Sequence, residues 1–220
     1  MPANRILPTL TLLCLPVFLT ALPACQTLQY EAWEMLGREK RDLLKSELGG
    51  LVDDQEEAQE SFQTALQRVK GLTGFDGGSL EAEYNRLKDA YEDAESDANS
   101  IDGRIDEIHQ ISADMFQEWE REIGEMQTAS LAQKSRERLR QTRRRYDELS
   151  RTMTASRDQM RAVLPVLRDH VLYLKHNLNA AAVGALGDEM GAIERDISTL
   201  QKSLETSIAE AQAFIAELPQ

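Results

Sequence analysis

From Leu80 to Met126 the chain reads LEAEYNRLKDAYEDAESDANSIDGRIDEIHQISADMFQEWEREIGEM. Within it Leu80, Tyr84, Leu87, Tyr91, Ala94, Ala98, Ile101, Ile105, Ile108, Ser112, Met115, Trp119, Glu122 and Met126 follow one another at alternating steps of four and three. Only Ser112 and Glu122 break the apolar character of the series, so it forms one stripe of about 3.5 residues per repeat, the pattern of helices packed along their whole length. A helix of about 47 residues is on the order of 70 Å long and cannot bury such a stripe by itself. The rest of the chain must supply the facing surfaces.

It does so in three further segments. Leu44, Leu48, Leu51, Gln55, Ala58, Phe62, Ala65 and Val69 make a seam before the central stretch. After it come Leu139, Thr142, Tyr146, Leu149, Met153, Ser156, Met160, Val163, Leu167, His170 and Leu174, then Leu186, Met190, Ile193, Ile197, Leu200, Leu204, Ile208, Ala211, Ile215 and Leu218. Four seams of similar length joined by short turns predict an all-α fold: an elongated antiparallel four-helix bundle with coiled-coil-like packing, running up-down-up-down. The expected helices span 30–70, 80–127, 131–176 and 180–218, with Phe62 and Leu87 on facing seams near one end.

The breaks have their own chemistry. Gly71-Leu72-Thr73-Gly74-Phe75-Asp76-Gly77-Gly78-Ser79 is glycine-rich, which admits backbone conformations closed to other residues, and Ser79 is a good N-cap. The Lys-Ser/Thr pair that ends a phosphate-binding loop is absent there. The pattern pauses near Gln127 to Ser130, and the register shifts across Asn177 and Asn179, two residues that tolerate cap conformations. No glycine or proline marks that last break, so one continuous helix is the alternative. Pro165 interrupts the hydrogen-bond ladder of helix three and predicts a kink. Gly49 and Gly50 weaken helix one and mark a possible bend, whereas Gly184, Gly187 and Gly191 suit a close helix approach.

Composition agrees with long solvated helices: charged residues make up 29% and aromatics 5%, with 12 glycines and 6 prolines. The net charge of −13 argues against nucleic acid as a partner, because a phosphate backbone repels an anionic rod. One local exception is the start of helix three, where Lys134, Arg136, Arg138, Arg140, Arg143, Arg144 and Arg145 crowd together. Either they pair with Glu118, Glu120, Glu122 and Glu125 across the hairpin, the reading favoured here, or they meet an anionic lipid or cell-wall polymer.

The chain opens as an export signal. Arg5 precedes an apolar run from Ile6 to Leu22, and Leu22-Pro23-Ala24-Cys25 follows. A small residue before a cysteine at the end of a short apolar run resembles the lipobox of bacterial lipoproteins, with Pro23 an uncommon choice at its position. The alternatives are a plain secretory signal or an uncleaved anchor, the latter disfavoured by Pro8 and Pro16. The expected organisation is a signal peptide over 1–24, a lipidated tether over 25–29 and a helical bundle over 30–220. Cleavage before Cys25 removes Cys14, so no intramolecular disulfide remains possible. Cys25 then carries lipid that anchors the protein to a membrane without spanning it. Gln26, in place of an Asp, favours the outer membrane by analogy with Gram-negative lipoprotein sorting. Tyr30 and Trp33, close to the anchor, either pack on neighbouring helices or rest at headgroup level.

Several motifs of this chain resemble a bacterial family known as domain of unknown function 2959. They are Phe75-Asp76-Gly77-Gly78 with Leu80 and Tyr84, Glu118-Trp119, Arg143-Arg144-Arg145-Tyr146, and Leu172-Tyr173-Leu174-Lys175-His176-Asn177-Leu178-Asn179-Ala180. The resemblance covers almost the whole mature chain. It implies a helical, lipid-anchored envelope protein of Gram-negative bacteria and supplies no catalytic residues.

An enzyme is not expected. Carboxylate-bridged metal bundles need two Glu-x-x-His motifs, and only Asp106-Glu107-Ile108-His109 approaches one, while Leu167 and Tyr173 stand three before His170 and His176. No metal and no cofactor are therefore expected. Two function classes remain: a structural or adaptor lipoprotein of the outer membrane facing the periplasm, or a module binding peptidoglycan, lipid or an envelope protein. In the up-down-up-down path the turns at Gly71 to Ser79 and His176 to Ala180 share the end far from the lipid. Phe75, Asp76, His176 and Asn177 are the candidate contact surface there, against the simpler reading that Phe75 and Leu178 plug the core.

Overall fold

The structure, a computed structural model, describes residues 24–73, 77 and 79–218, with side chains from Glu39 onward except those of Thr73 and Ala180. Four helices follow in order: α1 (Ala24–Thr73), α2 (Leu80–Glu125), α3 (Ala129–His176) and α4 (Ala180–Glu217). Among the described residues, those from Leu36 onward form one compact unit, the bundle, and those before it another. The side chains of Tyr30 and Trp33 lie outside the described residues.

Each helix starts and stops for a local reason. Ser79 caps α2, its side chain accepting from the Ala82 N–H at 3.2 Å, and Gly77 just before it sits at φ +144, a conformation that strains residues with a Cβ. Thr128 precedes α3 in extended backbone without a side-chain cap. Helices α3 and α4 are separate. Asn177 N–H donates to the Leu174 carbonyl at 3.0 Å and its amide to the Tyr173 carbonyl at 2.9 Å, taking up the last carbonyls of α3. Asn179 then caps α4 by accepting from the Ala182 N–H at 3.1 Å. The two asparagines thus end one helix and begin the next within three residues. Helix α3 runs on through Pro165, whose ring is exposed.

Cross-helix pairs fix the packing. Lys40 meets Glu118, Asp54 meets Arg104 and Ser61 bonds Asp97, so α1 and α2 are antiparallel. Arg143–Glu120 and Arg157–Asp106 make α2 and α3 antiparallel, and Arg145 reaches Glu210 and Glu217 of α4. Gln59 and Gln201 exchange side-chain bonds to each other's backbone carbonyls, and Lys70 pairs with Glu194, closing the ring between α1 and α4. The α1–α2 register places Leu87 level with Leu72 rather than Phe62. Both are fully buried, but Leu87 lies about nine residues, on the order of 14 Å, nearer the turn.

The interior is the four seams. Leu44, Leu48, Leu51, Phe62, Ile101, Ile105, Ile108, Leu149, Met153, Leu167, Ile193, Ile197 and Leu204 are all fully buried in one cluster. A heptad repeat drifts around a straight helix, and the drift shows at the end of α2. There Phe116 and Ile123 are buried, Trp119 and Glu122 are half-buried, and Met126 is 40% exposed.

Midway along the bundle a polar layer replaces the apolar one. Gln55 Nε2 donates to Ser156 Oγ at 3.1 Å and to Ser207 Oγ at 3.0 Å, joining α1, α3 and α4 across the core. Ser156 Oγ in turn donates to the Met153 carbonyl at 2.9 Å. A buried amide with two specific partners penalises any shift of register that would separate them.

Candidate functional site

Of the sequence-derived contact residues, the structure places His176 and Asn177 at the α3–α4 turn. Phe75 and Asp76 lie outside the described residues. His176 ends α3 with its ring exposed, and Asn177 is half-buried by its capping bonds, so Asn177 has a structural task whatever else it does. Leu178 does not plug the core. It is 44% exposed, and Leu172 and Tyr173 on the last turn of α3 are exposed as well. The two capping asparagines hold the connector tight, which leaves no slack for Leu178 to fold inward.

Beside them a cleft of about 290 Å³ opens between α3 and α4, lined by Asp169, His170, Tyr173, Ala185, Leu186 and Glu189. His170 forms its inner wall and is only 6% exposed. Its Nδ1 lies 2.8 Å from the Val166 carbonyl, which can only accept, so Nδ1 carries the proton. Nε2 is buried and has no hydrogen-bond partner among the described residues. The other two histidines lie apart. His109 is half-buried at midlength on α2, with Nε2 3.1 Å from Ser150 Oγ and its ring edge-on to Tyr146. Burial, then the nearby Arg157 charge, pushes its pKa down. Among the described residues no three His, Cys, Asp or Glu side chains gather closely enough to hold a metal ion.

The opposite end, around the α2–α3 turn, is built from charge. Glu118 is 4% exposed and pairs with Lys40 of α1 at 3.1 Å. Glu122, one turn on, has its pKa pushed up by burial and then by the Glu118 charge. Both border a cavity of about 160 Å³ with Arg41, Trp119, Arg138 and Leu218. Trp119 Nε1 donates to Ser135 Oγ at 2.9 Å, tying the ends of α2 and α3 together. Of the four glutamates expected to neutralise the arginines of α3, only Glu120 forms an ion pair with one among the described residues, Arg143 at 3.1 Å. Arg143 also lies over the Phe116 ring, 5.5 Å from its centroid. Arg145 turns the other way, to Glu148 and Glu217. Lys134, Arg136, Arg138, Arg140 and Arg144 make no ion pair with any described residue.

The residue ascribed the anchor, Cys25, falls in the first turn of α1, and its side chain lies outside the described residues. Among the described residues no helix is long and apolar enough to cross a membrane.

Residues 29–218 match the family model described as protein of unknown function (DUF2959). The chain belongs to the DUF2959 family. No curated protein and no solved structure matches it.

In this DUF2959 chain, sequence reading missed one cluster outright. Arg104 of α2 crosses α1 at Gly50, with Nη1 2.7 Å from Glu47 Oε2 and Nε 2.7 Å from Asp54 Oδ2. A Cβ on Gly50 would lie 2.6 Å from Nη1, so this glycine makes room for the guanidinium. The available signal was Glu47 and Asp54 placed three before and four after Gly50, one face of a helix bracketing a gap. Gly184 and Gly191 are corrected in the other direction. Nothing lies within 4 Å of a Cβ on Gly184, and only Arg195 of the same helix, at 3.5 Å, approaches one on Gly191, so neither mediates a close helix approach.

Proposed function

We propose that this chain is a lipid-anchored structural or adaptor rod of the cell envelope, held at the outer membrane through Cys25, facing the periplasm and without catalytic turnover. One observation carries the reading. The large apolar side chains exposed among the described residues gather toward the two ends of the bundle: Leu43, Met126 and Leu131 toward one, Leu172, Tyr173 and Leu178 at the other. The flanks between them are covered by charge, as in the ion pairs of Arg104, Arg157 and Arg161 with acidic neighbours. A body saturated along its sides and apolar at its tips suits end-on contacts. The sequence Leu22-Pro23-Ala24-Cys25 supplies the anchor.

The anchor is tested by replacing Cys25 with Ser in cells and reading acyl labelling, membrane fractionation and helical content together. The expected result is loss of label and of membrane association at unchanged helicity, since the bundle begins beyond Cys25. A wild-type chain that takes up no label, with fractionation unchanged by Cys25→Ser, contradicts it.

A second reading is a binding module that takes peptidoglycan, lipid or a protein partner at the α3–α4 turn. It is favoured by the exposed Leu172, Tyr173 and Leu178 beside the His170 cleft. A ligand that loses affinity on Tyr173→Ala while the thermal midpoint stays unchanged would distinguish it from a passive rod.

A further inference from the structure

We propose that the first turns of α3 form a docking surface for anionic lipid headgroups, so that the bundle rests this end on the bilayer that holds its anchor. The inference rests on the lipid-anchored reading above and adds to it a specific surface and lipid chemistry.

Charge comes first. Within residues 129–145 the seven cations are opposed by a single acid, Glu137, in a chain whose net charge is −13. Pairing across the hairpin consumes little of this excess, because Arg143 and Arg145 find carboxylates whereas Lys134, Arg136, Arg138, Arg140 and Arg144 remain exposed without an ion pair among the described residues. Five cations without an ion pair on about three turns of an otherwise acidic protein repel one another, and an external anion relieves that repulsion.

Geometry comes second. Arg136, Arg140 and Arg144 descend one solvent stripe at steps of four, and Arg136 and Arg140 overlook a cleft of about 280 Å³ floored by Ile123 and Leu139, whose one carboxylate, Glu120, is held by Arg143. Lys134 and Arg138 form a second stripe with Leu131, which is 56% exposed, and Met126 is exposed at the turn itself. A basic flank on either side of an exposed leucine-bearing stripe matches the boundary between phosphate headgroups and acyl chains. A soluble polyanion would use the cations and leave Leu131 and Met126 in water, so the bilayer is the better fit.

Connectivity comes third. The bundle begins at Leu36, and Lys40 pairs with Glu118 near the end of α2, so the chain enters the bundle at the same end as the α2–α3 turn. Each basic residue near an anionic surface adds roughly a fivefold preference for it, so the Arg136, Arg140 and Arg144 stripe together gives on the order of a hundredfold.

The test uses the full acylated protein, isolated from membranes and reconstituted on vesicles of phosphatidylcholine alone or with phosphatidylglycerol. Flotation with neutral vesicles reports the anchor, independently of the patch. Arginine modification by phenylglyoxal, read residue by residue by mass spectrometry, reports the patch. We expect Arg136, Arg140 and Arg144 to react at least fivefold more slowly on the anionic vesicles, with Arg68 and Arg195 unchanged and the protection removed by 1 M salt. In the triple variant Arg136→Gln, Arg140→Gln, Arg144→Gln, Arg138 reacts faster with phenylglyoxal on the anionic vesicles than it does in the wild type, while flotation and helical content hold. Equal reactivity on both vesicles overturns the proposal even if the protein floats. So does protection by peptidoglycan fragments alone, which assigns the surface to the cell wall.

Discussion

The two ends of this bundle are closed by different means. At the α3–α4 turn the chain is stopped and restarted by the backbone bonds of Asn177 and Asn179, and its large apolar residues Leu172, Tyr173 and Leu178 face water. At the α2–α3 turn a carboxylate enters the interior, Glu118 buried against Lys40 with Glu122 half-buried beside it, and Arg136, Arg138, Arg140 and Arg144 stand outside without an ion pair among the described residues. The seams between are alike. The contrast teaches that stability resides in the shared middle, leaving each end free to carry a chemistry of its own.

That division predicts a ranking of substitutions. Phe62→Ala, in the fully buried middle, is expected to lower unfolding free energy by about 3–5 kcal/mol in urea titration. A loss under about 1 kcal/mol would mean that the ends carry the fold. Next comes Lys40→Ala, which strands Glu118. The expected cost is about 2 kcal/mol, less than for a wholly buried pair because the Lys40 side chain is 31% exposed. Adding Glu118→Gln should recover most of it, and a double variant as unstable as the single would show that the charge pair is not the cause. At the other end, Asn179→Ala removes a cap and should cost about 1 kcal/mol, readable as a few degrees in thermal midpoint.

The smallest effect lies between the ends, at His109. Burial holds its folded-state pKa below the ordinary value of about 6.5. The folded protein therefore binds this proton less readily than the unfolded chain. The stability it contributes is present above pH 6.5 and is lost as pH falls through the lowered folded value. Denaturation of wild type and His109→Gln at pH 8 and pH 5 should show a shallower acid loss in the variant. Parallel losses would remove His109 from the acid response.

Much of this architecture was legible in the sequence. The helices begin and end within a few residues of the expected spans from α2 onward, because seam period, Ser79 and the asparagine pair each encode a boundary in local chemistry. Partner choice was less legible. Gln55 stood in a seam, but that its amide would meet Ser156 and Ser207 depends on which turns of three helices lie level, and no single-helix period contains that. The same limit explains Phe62, Gly50 and the arginines of α3. A long guanidinium reaches several turns, so spacing names candidates without choosing among them. Of the candidate contact residues, His176 and Asn177 stand at the α3–α4 turn, with Asn177 committed to capping, and Phe75 and Asp76 lie outside the described residues.

The central claim is that contacts are made end-on and the flanks are inert. Site-specific photocrosslinking in intact cells tests it directly, with the crosslinker placed in turn at Tyr173, at Leu131 and at Glu107, an exposed flank position on α2. The account predicts a discrete crosslinked species, protein or lipid, from Tyr173 or Leu131 and none from Glu107. A species captured from Glu107 as strongly as from either end would contradict it.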